Sequence, residues 1–126
     1  MNIMIVDDEK MITDSLVALL QDTGLFRKVV VANNGIEAKN KLQANHYDII
    51  ILDINMPKFD GLELVKHIRT ETTRTPEIIM MSGQFTPENV QVAADFNIQY
   101  TLAKPFNAKK LLEKIEIVSS KIKRAA

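Results

Sequence analysis

Four runs of consecutive apolar residues, most of them β-branched, constrain this chain more than any other feature. They are Ile3-Met4-Ile5-Val6, Val29-Val30-Val31, Ile49-Ile50-Ile51-Leu52 and Ile78-Ile79-Met80-Met81. Each is continuous rather than alternating, the pattern of a strand covered on both faces, as in a parallel sheet. A fifth and weaker run, Gln99 to Ala103, ends at Lys104-Pro105. Segments of helical period lie between the runs. Ile12, Leu16, Leu19 and Leu20 mark the first, which Gly24 closes as a helix C-terminus. Ala38, Leu42 and Ala44 mark the second, after Asn33-Asn34-Gly35, and Leu62, Val65 and Ile68 the third. Val90, Ala93 and Ala94 mark the fourth, introduced by Thr86-Pro87, a cap followed by proline at the first helical position. Leu111, Leu112, Ile115, Val118 and Ile122 mark the fifth. Five alternations of strand and helix predict an α/β domain of parallel strands joined by right-handed crossovers, with helices on both faces. The competing reading is a helical bundle with apolar interruptions.

The 126 residues suit one domain, here 1–120, able to bury roughly two-thirds of its unfolded surface. Sixteen basic residues balance sixteen acidic ones, so no global field points to nucleic acid or an anionic membrane. The chain has no cysteine, which excludes a disulfide scaffold, thiolate metal sites and a cysteine nucleophile. Met1 to Val6 lacks a basic region and meets Asp7 too soon for a signal peptide or a membrane span, and no other apolar run is long enough. The expectation is a cytoplasmic protein. From Phe106 onward six basic residues face two acidic ones, and 121–126 read as a basic tail, either a frayed helix end or the start of a linker.

Ligands of an open parallel sheet sit beyond the carboxyl ends of its strands. The first run ends in Asp7-Asp8-Glu9, the third in Asp53, the fourth in Ser82-Gly83 and the fifth in Lys104-Pro105. Singly, each has a plain explanation: an aspartate caps a helix, Ser-Gly makes a turn, a lysine lies on the surface. Together they bring carboxylates, a hydroxyl and an ammonium to one rim. Crowded carboxylates take protons back unless a cation is present. Oxygen ligands of this kind suit Mg²⁺ or Mn²⁺. A carboxylate is also a competent nucleophile toward a phosphoryl group, a transfer that needs positioning and charge neutralisation above all. Lys104 supplies a point charge for that group and the Ser82 hydroxyl a donor.

With those residues in view, the chain resembles the response-regulator receiver domain of two-component signalling. The resemblance rests on Ile5-Val6-Asp7-Asp8-Glu9, Ile51-Leu52-Asp53-Ile54-Asn55-Met56-Pro57 through Asp60-Gly61, Met81-Ser82-Gly83, and Leu102-Ala103-Lys104-Pro105-Phe106, in order and across nearly the whole chain. It implies a flavodoxin-like, doubly wound five-stranded sheet in the order 2-1-3-4-5 with five helices. By position, Asp53 matches the phospho-acceptor, Asp8 a metal ligand, Asp7 a ligand through water, and Asn55 a ligand through its backbone carbonyl. Ser82 and Lys104 match the pair that senses the phosphoryl group, and the Lys104-Pro105 bond matches one that is typically cis. The implied function is a signalling module rather than an enzyme. A histidine kinase or phosphotransfer protein loads Asp53, with self-catalysed transfer and autodephosphorylation, and the surface of the fourth helix, fifth strand and fifth helix switches to bind a downstream protein. Direct nucleic-acid binding and membrane insertion are not expected, and the state is a monomer or a phosphorylation-dependent dimer, either stand-alone like the chemotaxis regulators or part of a phosphorelay.

Two positions depart from the pattern. Thr101 stands where the family carries an aromatic switch, and Tyr100, one residue earlier, should face the other side of the strand. Either the switch works with a small β-branched side chain or the signal travels through Ser82 and the loop after it. Asn97 stands where Gly is usual, and Asn is the next-best residue for a left-handed helix terminus. His46 and His67 read as surface histidines, Phe106, Met80 and Met81 as packing, and Gln84 and Asn55 as residues at the pocket mouth. Three alternatives stay open. A haloacid-dehalogenase-type phosphatase wants a second aspartate where Asn55 stands, a flavodoxin wants a Ser/Thr/Gly-rich phosphate loop after the first strand, and a degenerate receiver would signal by binding alone.

Overall fold

The computed structural model describes residues 1–55, 61–71 and 75–125. Its elements alternate as the apolar runs dictate: β1 (Asn2–Val6), α1 (Lys10–Asp22), β2 (Lys28–Ala32), α2 (Gly35–Ala44), β3 (Ile49–Asp53), α3 (Gly61–Glu71), β4 (Glu77–Ser82), α4 (Pro87–Asp95), β5 (Tyr100–Ala103) and α5 (Ala108–Ala125). The strands form one sheet in the order β2-β1-β3-β4-β5, with all four pairings parallel. This is the flavodoxin-like arrangement.

Strand side chains alternate between faces, and each interior run therefore feeds two cores. Met4, Val6, Ile50, Leu52, Ile78 and Met80 pack on one face with Ala38 of α2, Leu64, Val65 and Ile68 of α3, and Ala93 before the α4 terminus. Ile3, Ile5, Ile49, Ile51, Ile79 and Met81 pack on the other with Leu16 and Leu20 of α1 and Leu111, Ile115 and Val118 of α5. Met80 and Met81 are fully buried, as expected of packing residues, and Phe106 is half-buried against the second core. Val29, Val30 and Val31 are only half-buried because β2 is a sheet edge, although both faces are covered: Val30 packs against the first core and Val29 and Val31 against the second.

Local signals place most of the turns. Asn34 caps α2 by accepting the Glu37 N–H at 2.8 Å, and Thr86 caps α4 by accepting the Asn89 N–H at 3.2 Å with Pro87 following. Gly24, with φ 69°, follows the α1 cap Thr23, and Asn97 takes φ 53° before β5. The Lys104-Pro105 bond is cis. Three readings are corrected. His67 is buried (9% exposed), because it lies three residues beyond Leu64 on the same stripe of α3. No residue of α4 is fully buried; Val90 and Ala94 face solvent while Ala93 packs, because this short helix covers only the end of the sheet. Leu112 is exposed at the rim of the α5 stripe. The side chain of Leu62 lies outside the described residues. Residues 121–125 continue α5 without a break, and Lys121 is pinned to Glu77 Oε1 at 3.1 Å and Gln99 Oε1 at 2.9 Å. No helix among the described residues is long and apolar enough to cross a membrane.

Candidate functional site

The parallel register carries the residues that end β1, β3, β4 and β5 to one rim. Val6 pairs with Leu52, Asp53 with Met81 and Ser82 with Ala103, so Asp7, Asp53, Ser82 and Lys104 emerge side by side. Asp7 and Ser82 are fully buried and Asp53 is 2% exposed, whereas Asp8 and Glu9 are open to solvent. Neither aspartate caps α1; Glu9 is its first flanking residue, and the Asp7 carboxylate instead accepts the Glu9 N–H at 2.9 Å.

Lys104 holds this rim together. Its Nζ donates to Asp7 Oδ2 and to Asp53 Oδ2 at 3.0 Å each, and reaches Glu9 Oε1 at 3.4 Å. The remaining oxygen of Asp53, Oδ1, accepts the Asn55 N–H at 2.9 Å. Burial by itself would draw the ammonium down, but its hydrogen bonds to Asp53 and Asp7 outweigh that and hold Lys104 above the ordinary lysine range. Burial pushes the Asp7 carboxyl above its ordinary value. The Glu9 N–H and Lys104 oppose that rise, and the nearby Asp53 charge adds to it.

Asp7, Asp8, Glu9 and Asp53 each offer an oxygen, and these atoms all lie within 4.8 Å of one another, close enough to share a metal ion. An all-oxygen set with two exposed members fits a hard, partly hydrated cation. Glu9 was not among the residues singled out as ligands. The signal for it was its place directly after the aspartate pair, which reads equally well as an ordinary helix start.

Ser82 Oγ approaches both the Gln84 carbonyl and Asn55 Oδ1 at 2.6 Å, and accepts the Gln84 N–H at 3.0 Å. Asn55 and Gln84 are both exposed, at the mouth of the rim. Met56, Pro57 and Asp60 lie outside the described residues. Tyr100 faces the α5 side of β5, beneath the Lys121 ammonium, which sits 5.5 Å from the ring centroid. Thr101 opens on a groove that it shares with Phe85, Lys110, Glu113, Lys114 and Ile117. Phe85 was not foreseen as an aromatic near this position.

With this geometry established, comparison with known proteins is specific. The response regulator receiver domain family model matches residues 3–116. The chain is 32% identical over 117 residues to the transcriptional regulatory protein DltR of Streptococcus agalactiae, covering 93% of this chain and 51% of DltR. It is 29% identical to the uncharacterized transcriptional regulatory protein YesN of Bacillus subtilis, covering 97% of this chain and 33% of YesN. The chain thus spans about half or less of these curated relatives. Among solved structures, the chemotaxis response regulator CheY4 of Vibrio cholerae superposes with a TM-score of 0.82 at 35% identity, covering 93% of this chain and 97% of that one.

Proposed function

The chain belongs to the response regulator receiver domain family of two-component signalling, and from that premise we propose that it is a phosphorylation-controlled switch with Asp53 as acceptor. The observation that carries this reading is the position of Asp53. Its carboxylate is buried at the end of β3, with Oδ2 on Lys104 at 3.0 Å and Oδ1 on the Asn55 N–H at 2.9 Å. In the transfer, an Asp53 carboxylate oxygen attacks the phosphorus of a phosphohistidine on a histidine kinase or phosphotransfer protein. A P–O bond forms, the P–N bond breaks, and the imidazole leaves with a proton from solvent.

Lys104 moves from balancing two carboxylates to pairing with the new phosphoryl oxygens, and Ser82 donates its hydroxyl to one of them. Asp8, Asp53 and the Asn55 backbone carbonyl would hold Mg²⁺ or Mn²⁺ directly and Asp7 through water; the ion supplies charge neutralisation at the phosphoryl oxygens. Asn55 and Gln84 at the mouth set how readily water reaches the acyl phosphate. The response is a population change of the α4–β5–α5 surface, where Phe85, Thr101 and Ile117 line one groove, and it alters binding of a downstream protein. Two relatives carry names of transcriptional regulators and the structural neighbour that of a chemotaxis regulator.

The test is intact mass after phosphoramidate treatment, with and without Mg²⁺, for the native chain and Asp53→Asn. The expected result is a Mg²⁺-dependent gain of one phosphoryl group that the variant lacks. A gain that persists in Asp53→Asn refutes the acceptor assignment.

A further inference from the structure

The Gln84 carbonyl accepts two hydrogen bonds of different origin. One comes from Ser82 Oγ at 2.6 Å, the other from Asn89 Nδ2 on the first turn of α4 at 2.7 Å. Ser82 has one hydroxyl proton and two acceptors within 2.6 Å, the Gln84 carbonyl and Asn55 Oδ1. Its hydrogen bond to the loop is therefore a choice the hydroxyl can abandon for a better acceptor. Packing does little to fix what lies beyond the loop. No residue of α4 is fully buried and Val90 is 54% exposed. Hydrogen bonds hold the helix at its ends: the Thr86 cap and the Asn89 side chain at the start, and Arg69 Nε and Nη2 on the carbonyls of Phe96 and Asn97, at 3.1 and 3.4 Å, at the finish. An element tied down in this way follows its tethers.

We propose that Asn89 is the positioning residue that couples Ser82 to α4, with the Gln84 carbonyl as the shared joint. In the resting chain Ser82 and Asn89 both donate to that carbonyl. When the hydroxyl leaves, the carbonyl keeps only Asn89, and Gln84 moves with the first turn of α4 instead of with β4. The coupling needs no aromatic at Thr101, the position where the chain departs from its family. The signalling use of the joint rests on Asp53 being the acceptor; the joint itself belongs to the resting chain and is tested there.

The experiment is amide hydrogen exchange on the full chain for wild type, Ser82→Ala, Asn89→Ala and the double variant, read at the α4 amides from Val90 to Ala93. Each single change is expected to raise exchange roughly fivefold, the scale of one ordinary hydrogen bond, and the double change no further than either alone. Multiplying effects, or an α4 indifferent to Ser82→Ala, overturn the proposal. Asn89→Asp separates coupling from capping. It keeps the shape and adds a favourable charge at the helix start but has no donor, so coupling predicts exchange like Asn89→Ala and a merely local role predicts exchange like wild type. Phosphoramidate treatment adds the loaded state. Asn89→Ala should gain mass as wild type does while its α4 exchange no longer responds to phosphorylation. A wild type that gains no mass refutes the acceptor reading, and the resting-state cycle still decides the joint.

Discussion

Replacing Lys104 with methionine asks how much of the acidic rim rests on one ammonium. Nζ donates to Asp7 Oδ2 and Asp53 Oδ2 at 3.0 Å each, and both carboxylates are almost wholly buried. Methionine keeps an apolar stem and removes the charge. Among the described residues each carboxylate then retains one backbone donor, Glu9 N–H for Asp7 and Asn55 N–H for Asp53. Removing one partner of a buried pair costs about 3–5 kcal/mol, and the surviving donors put this case at the low end, near 3 kcal/mol at about pH 8. The sign with pH is fixed by linkage. The folded pKa of wild-type Lys104 is raised, so its contribution is complete below the unfolded value of 10.5 and is lost only as pH rises through the higher folded value. Between about pH 5 and 8 it is constant. In the variant, Asp7 keeps the burial and the nearby Asp53 charge that raise its folded pKa but loses the Lys104 ammonium that opposes them, so the folded state binds the extra proton and stability falls as pH rises. Urea denaturation followed by circular dichroism at about pH 5 and 8 should show a loss larger at the higher pH by at least ~1 kcal/mol, the equivalent of under one pKa unit. Mg²⁺ should recover part of it at the higher pH through mass action on the folded state. Equal losses at the two pH values, or a loss below about 1 kcal/mol at pH 8, would refute the idea that Lys104 balances the rim.

Two further changes probe the frame around the site. Ile51→Ala, at a fully buried position in the middle of β3, should lower unfolding free energy by about 2–5 kcal/mol in urea titration; a loss below 1 kcal/mol would mean that the α1/α5 core closes over the gap. Asn97→Ala places an ordinary side chain at φ 53° and should cost about 1 kcal/mol by thermal denaturation, and a neutral result would show that the turn before β5 relaxes out of the left-handed region.

The interior of the sheet was legible because β1, β3 and β4 are covered on both faces and admit no polar residue until they end. Their burial is complete from Ile3 to Val6, Ile49 to Leu52 and Ile79 to Met81. The rim was legible for the same reason: a parallel register turns the first polar residue after each run into a neighbour of the others. The edge was less so, since three consecutive valines look alike whether the strand has a neighbour on both sides or on one. Inside the site, the run of acids did not reveal that Asp7 is buried on Lys104 while Asp8 faces solvent. That difference arises from a lysine 97 positions away. His67 was misread because a histidine beside a stripe of Leu64 and Ile68 looks polar in the sequence yet shares their face. Thr86-Pro87 announced the start of α4, but a side chain reaching back to a backbone carbonyl five residues earlier leaves no pattern.

Crowding at the rim and looseness at α4 belong to one arrangement. Among the described residues four carboxylates share the rim with one ammonium, a balance that favours entry of a cation, and the burial of Asp7 raises the cost of leaving it charged. In the proposed switch, a metal and a phosphoryl group reorganise these contacts. Lys104 is then the natural responder on the acid side and Ser82 on the other, since each already has more than one partner to choose among. A change of partner at Ser82 would be lost in a rigid neighbour. It gains reach because the next element, α4, is held by hydrogen bonds at its ends more than by a buried face. The stable two-sided core of β1, β3 and β4 fixes where the acids meet, and the lightly packed α4 at the margin is free to register what happens there.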